Sequence, residues 1–291
     1  QFWEDVEEGL NDIESYHAAR GQDIDRIRQF GKSARGEVDE PKGEGPGHQP
    51  SEEHVDGLTA SPFWDVVSEE NEEMFPWAKS LEDKADVILE EFETRLAEQQ
   101  MFASDSAWQN QVMGKGWSAI RLQRLGIWNE DNCKLFPKTY ELLRSLNIPL
   151  AVRGVCFARQ APNSGVQPHS DGRNFILTSH LGLRIPEGCW IQSGEERRGW
   201  DVGKLTTLDT SFEHSTLNPS ADQERHVLII DFWHPELSEA ERAALEFVYD
   251  LRNKFESGQI PPRRPKRLLQ QEQEAGFGGF WKKLTAGGGD E

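Results

Sequence analysis

Apolar residues recur at helical spacing near both ends of the central part of the chain and at alternating spacing between. Leu81, Ala85, Ile88, Leu89, Phe92 and Leu96 share one helical face, and Ser80 followed by Asp83 reads as the start of that helix. Pro137 stands where a first-turn proline belongs, and Leu142, Leu143 and Leu146 carry the helix on towards Pro149. Ser238 and Glu241 make a capping box ahead of Ala243, Ala244, Phe247, Val248 and Leu251.

Between these helices the period drops to two. Leu150–Ala158, Arg173–Ile185, Cys189–Gln192, Lys204–Leu208 and His226–Trp233 all read as strands, separated by Gly, Pro and Asn turns. Short strands flanked by helices predict a mainly β fold: a double-stranded β-helix, a cupin-like jelly roll, braced by α-helices. In the second strand Phe175, Leu177, Leu181, Leu183 and Ile185 share one face, and Ile176, Thr178, His180 and Arg184 the other. His180 therefore points away from Leu181, towards the lumen of such a barrel.

The flanks differ in composition. Residues 1–53 read as an acidic N-terminal helix, up to about Phe30, and a partly disordered linker rich in Gly, Pro, Glu and Lys; 54–256 as the jelly-roll domain. Residues 257–291 read as a flexible Pro- and Gly-rich tail, with a basic stretch from Pro261 to Arg267 and an apolar patch from Phe277 to Trp281. With 291 residues and 36% hydrophobic content the chain suits one large domain with polar extensions. No apolar run is long enough to span a bilayer. A formal charge of -19 argues against a nucleic-acid partner, whose phosphates need the opposite sign. Cys133, Cys156 and Cys189 are too few and too scattered for a disulfide framework or zinc ribbon, and fit a reducing compartment without excluding a secretory one.

Candidate chemistry lies in the strand-rich region. His169-Ser170-Asp171 precedes the long strand, in a loop, and His214 closes the run Asp209-Thr210-Ser211-Phe212-Glu213-His214. Two imidazoles and one carboxylate can bind Fe(II) on one face and leave three positions open. The H-x-D spacing suits this, because alternate residues of an extended chain point the same way. Arg225 opens the apolar strand that follows, where a guanidinium can take the far carboxylate of a dicarboxylate cosubstrate. The rival assignments are a surface-loop histidine, a core histidine and a strand-edge arginine. Asp171 has its own rival, as a cap for the turn at Gly172.

Over residues 57 to 245 the chain also resembles the aspartyl/asparaginyl β-hydroxylases. The resemblance rests on Gly57-Leu58-Thr59-Ala60-Ser61-Pro62-Phe63-Trp64, on Asn129-Glu130-Asp131-Asn132-Cys133-Lys134 with Pro137-Lys138-Thr139, and on Pro168-His169. It continues through His180-Leu181-Gly182-Leu183, Ile185-Pro186, Gly203-Lys204, the run ending at His214, and Trp233-His234-Pro235-Glu236-Leu237. It implies a double-stranded β-helix that uses Fe(II), 2-oxoglutarate and O2 to hydroxylate an unactivated C–H bond, with no catalytic acid or base beyond the metal centre. His169 and His214 match the family's iron ligands, with Asp171 completing a triad. His180 and Arg225 match its 2-oxoglutarate contacts.

Four departures matter, the first for iron binding and the others for the substrate. Asp171 replaces a glycine of the animal enzymes, Ala158 a serine, and Ile176 and Thr178 two arginines; Tyr140 replaces a cysteine that would pair with the Cys133 equivalent. The resemblance points to C3 of an Asp or Asn residue in a peptide or protein. Alternatives are a small metabolite, a free amino acid, a lipid-linked acyl chain, or a non-catalytic jelly-roll binding module. Halogenation is disfavoured because Asp171 would occupy the position a halide needs.

Overall fold

The computed structural model describes residues 1–39, 41–51, 53–98 and 116–260. Of the Pro- and Gly-rich tail, residues 261–291, with the Pro261–Arg267 and Phe277–Trp281 stretches, fall outside them.

Two antiparallel sheets form the body. Its strands are β4 (Leu150–Gln160), β5 (Ser164–His169), β6 (Ile176–Arg184), β7 (Trp190–Ser193), β8 (Glu196–Arg198), β9 (Leu205–Asp209), β10 (His214–Asn218) and β11 (Arg225–Trp233). The chain crosses repeatedly between the sheets, giving the order β9-β6-β11-β4 in the larger and β5-β10-β7-β8 in the smaller. This is a double-stranded β-helix, as the alternation predicts. The larger sheet has seven strands: β1 (Phe63–Trp64) adds to β9, and β2 (Trp117–Arg124) with β3 (Ile127–Trp128) extends it beyond β4.

Period-two patterning decides which residues go where. Leu177, Leu181, Leu183, Leu228 and Ile230 sit on the outer face of the larger sheet, in one cluster with Ile88, Phe92, Phe136, Leu142 and Leu143. The helices that cover this face are α3 (Ala78–Asp83), α4 (Ala85–Ala97), α5 (Glu130–Leu135) and α6 (Pro137–Ser145). Ser80 lies inside α3 and does not cap it, and a break at Lys84 divides the single predicted helix in two. Buried Glu91 compensates for the exposed amides at the start of α6, accepting from the backbone of Lys138 at 2.9 Å and Thr139 at 2.8 Å. Pro137 opens α6 as expected, and Ser238 and Glu241 form the expected capping box of α7 (Glu239–Glu256).

A second core closes one end of the barrel and reaches the start of the chain. Val6 and Leu10 of α1 (Phe2–Ala18), and Ile27 and Phe30 of α2 (Asp25–Ala34), pack with Phe175, Trp233, Leu245 and Val248. Here the structure differs from the picture of a weak helix trailing into a linker. The apolar stripe is sparse along the sequence but fully buried, and part of the 31–53 stretch is tied to the barrel: the Gln49 amide donates to Ser211 O at 2.9 Å and that of Ser51 to Gly172 O at 3.0 Å. Among the described residues, no helix is long and apolar enough to cross a membrane.

Candidate metal centre and cosubstrate pocket

His169 and His214 face each other directly. His169 ends β5 and His214 begins β10, and the two are register partners in the smaller sheet. The loop predicted for His169 is therefore a strand, and pairing aligns the two rings, whose centroids are 4.3 Å apart. Asp171 lies just past β5, its backbone amide donating to Thr210 O at 2.8 Å. One donor atom from each of His169, Asp171 and His214 falls within 4.8 Å of the others, an arrangement that could hold a metal ion.

The ring hydrogen bonds decide which nitrogens are free. His169 Nδ1 donates to Gln167 O at 2.8 Å, and His214 Nδ1 to Phe212 O at 2.9 Å. A carbonyl only accepts, so the proton sits on Nδ1 and Nε2 keeps its lone pair, as a metal-binding imidazole requires. Burial also holds His214 below the ordinary imidazole value, favouring the neutral ring.

Asp171 does not cap the turn at Gly172; the Ser170 hydroxyl does, accepting from the Gly172 amide at 3.0 Å. Instead Asp171 is paired with Arg153 of β4. Burial works against its ionisation, but the Arg153 guanidinium overcomes this and holds the carboxyl below the usual carboxylate range. The pairing changes the meaning of the half-buried carboxylate. By itself it would argue for a metal; with an arginine as counter-ion it does not, and the convergence with the two histidines carries that argument. Arg153 also donates to Thr178 Oγ1 at 2.8 Å and Asp231 at 3.0 Å. Nothing local in the sequence marked Arg153, since its partners come from β6, β11 and the Asp171 loop.

Arg225 is 1% exposed, yet its Nε and Nη1 have no hydrogen-bond partner. Its guanidinium lies over the Trp200 ring, 4.6 Å from the centroid, and desolvation pulls its pKa down to about 10, which still leaves it charged at neutral pH. A desolvated, unsatisfied cation is costly unless an anion meets it. His180 lies between this end and the histidine pair; burial first, then Arg225 and His214, keep it well below the ordinary imidazole value. Its Nδ1 accepts from Trp200 Nε1 at 3.3 Å. An indole only donates, so the His180 proton is on Nε2, available to an acceptor in the cavity. His169, Asp171, His180, His214 and Arg225 all line one cavity of about 800 Å³.

The family model described as aspartyl/asparaginyl beta-hydroxylase matches residues 82–235. The chain belongs to this family. The human aspartyl/asparaginyl beta-hydroxylase is 34% identical over 200 residues, 67% of this chain and 26% of that protein. Human aspartate beta-hydroxylase domain-containing protein 2 is 31% identical over 175 residues, 58% of this chain and 47% of that one. The chain thus spans less than half the length of these two relatives. Among solved structures, a Pseudomonas putida prolyl-4-hydroxylase overlaps 52% of this chain and 87% of its own at 16% identity and a TM-score of 0.34, too loose a likeness to bear on function.

Some family motifs are structural. His234 Nε2 bonds the Thr59 carbonyl at 3.1 Å, and Glu236 accepts from the Thr59 amide and hydroxyl at 2.8 and 2.7 Å. The segments around Thr59 and Trp233 therefore lock together and anchor the edge strand β1. Cys133, Cys156 and Cys189 are all free and buried, and Tyr140 packs edge-on against Trp128.

Proposed function

We propose that the protein is an Fe(II)- and 2-oxoglutarate-dependent dioxygenase that hydroxylates an unactivated C–H bond, with C3 of an Asp or Asn residue in a peptide as its target. The observation that carries this reading is the shared cavity, with His169, Asp171 and His214 converging in one part and the unsatisfied Arg225 buried in another. The donor set fits iron: two imidazoles with free Nε2 atoms and one carboxylate. The orphaned nitrogens of Arg225 fit the far carboxylate of 2-oxoglutarate.

In this reading His169, Asp171 and His214 hold the iron, Arg225 fixes the distal carboxylate, and His180 donates from Nε2 to the chelating end. The bound metal, with cosubstrate and O2, supplies the oxidising power for C–H hydroxylation. The chain's own contribution is placement: the Gln167 and Phe212 carbonyls orient the two rings, Arg153 orients Asp171, and Trp200 orients both His180 and Arg225. The apolar wall from Val166, Ile191, Leu208 and Ile229 limits water around the cosubstrate. No side-chain acid or base is required.

The test is an anaerobic titration with Fe(II) and 2-oxoglutarate, followed by admission of O2 and detection of succinate against Asp- and Asn-containing peptides and free amino acids. Saturable binding of both, with peptide-stimulated succinate release, supports the assignment. Failure to bind 2-oxoglutarate in the presence of iron rejects it.

A further inference from the structure

Loss of the two strand arginines at Ile176 and Thr178 leaves open what could read an anionic substrate. The cavity wall formed by β2 supplies an answer. Arg121 and Arg124 both line the cavity, although residues three apart on an unbroken strand face opposite sides. A β-bulge between Arg121 and Gln123 reconciles this. Arg121 pairs with Cys156, which lines the cavity, whereas Gln123 pairs with Val155, which belongs to the outer core. One extra residue thus reverses the alternation and returns Arg124 to the side of Arg121. Gly154 permits the bulge: its φ is +73°, and a Cβ there would lie 2.2 Å from the Gln123 carbonyl oxygen.

Among the described residues, no carboxylate pairs with the charge at this wall. Of the other arginines on the cavity, Arg153 is paired with Asp171 and Asp231, and Arg173 with Glu53. Among the described residues Arg121 has one hydrogen-bond acceptor, the Arg153 carbonyl at 2.8 Å, and neither Arg121 nor Arg124 has an acidic partner. In a chain of formal charge -19, two such cations on one concave face mark an anion site. The strand registers separate it from Arg225. That residue is opposite Gln160 at one end of β4, whereas Arg121 and Arg124 flank the end that carries Arg153 and, through it, Asp171.

We infer that Arg121 and Arg124 are the specificity-determining residues for substrate, taking a side-chain carboxylate presented at the metal end of the cavity and discriminating against its amide. The inference rests on the oxygenase reading above and narrows its target from Asp or Asn to Asp. Arginine gives the discrimination because its planar fork matches a carboxylate, while the NH2 of an amide meets only donors.

The test measures binding of a fluorescein-labelled peptide with one Asp among neutral residues, and of its Asn isostere, to the wild-type chain loaded with Mn(II) and 2-oxoglutarate. The Asp peptide binds about tenfold or more tightly, and added salt weakens it selectively. In R121Q/R124Q the ratio falls towards one; in R121K/R124K it recovers in part, since the charge returns without the fork. Equal binding of the two peptides by the wild type, no binding of the Asp peptide, or a ratio that survives in R121Q/R124Q overturns the inference. Succinate release from 2-oxoglutarate by the wild-type chain given Fe(II), O2 and the Asp peptide reads the oxygenase assignment separately. Its absence beside intact discrimination would count against that assignment and leave the anion site standing.

Discussion

Arg153 and Asp171 divide the carboxylate between two tasks: Oδ2 pairs with the guanidinium, while Oδ1 lies 3.9 Å from His169 Nε2. Arg153 thus fixes one oxygen and leaves the other facing the histidines. It also neutralises a charge that would otherwise be desolvated in the cavity.

Asp171→Gly, which installs the residue the animal relatives carry, is expected to weaken Fe(II) binding by about tenfold or more, as removal of one of three donors should. Arg153 keeps Asp231, so the fold survives. Anaerobic titration with Fe(II) or Co(II) checks this, and unchanged affinity would mean that Asp171 serves Arg153 alone.

Replacing Arg225 by Met separates cosubstrate from metal. The expected result is a loss of about a hundredfold or more in 2-oxoglutarate affinity, with Fe(II) affinity preserved. The same change removes a buried cation with unsatisfied nitrogens, so the ligand-free protein should melt no lower than wild type. A marked fall in its midpoint would show that Arg225 has a structural partner.

Asp209 introduces a pH dependence of stability. Burial pushes its carboxyl up to about 7, despite hydrogen bonds from the Ser211 amide and hydroxyl at 2.9 and 2.6 Å; nearby Glu44 adds to the rise. The folded state therefore keeps a proton that the unfolded chain releases near 4, so this residue's contribution lowers stability as pH rises from about 4 to about 7. Above that window the penalty is complete. Asp209→Asn should raise the melting temperature at pH 8 by several degrees and change it little at pH 4. Melting curves at the two pH values decide, and an equal shift at both would be inconsistent with titration of Asp209 as the cause.

Gly154→Ala tests the bulge. A side chain at this φ, against the Gln123 carbonyl, should cost about 2–4 kcal/mol, visible as a lower thermal or denaturant midpoint. If the chain relaxes by expelling the bulge, Arg124 turns to the outer face and preference for the Asp peptide declines. A variant as stable as wild type and equally selective would show that the bulge is not required.

Alternation alone determined much of this protein. The period of two in β6 puts His180 on the face opposite Leu181, which in a jelly roll is the lumen, and the capping box of α7 is a purely local hydrogen-bonding pattern. His169, Asp171 and His214 were legible through residue type, spacing and resemblance, and the tertiary structure brings them within 4.8 Å. What only the tertiary structure decided depends on contacts between distant segments. Arg153 becomes the partner of Asp171 because β4 and the Asp171 loop meet across the barrel, and α1 and α2 become core because a sheet end needs covering. Trp200 sets the His180 tautomer across a loop whose path no period encodes. Arg121 and Arg124 were hidden most completely. Their spacing of three predicts opposite faces, and the bulge that unites them exists only once β2 has a neighbour in register, with a glycine where the backbones meet. Periodicity tells each side chain which way to point from its own strand; which groups then face it is settled by pairing between strands far apart in sequence.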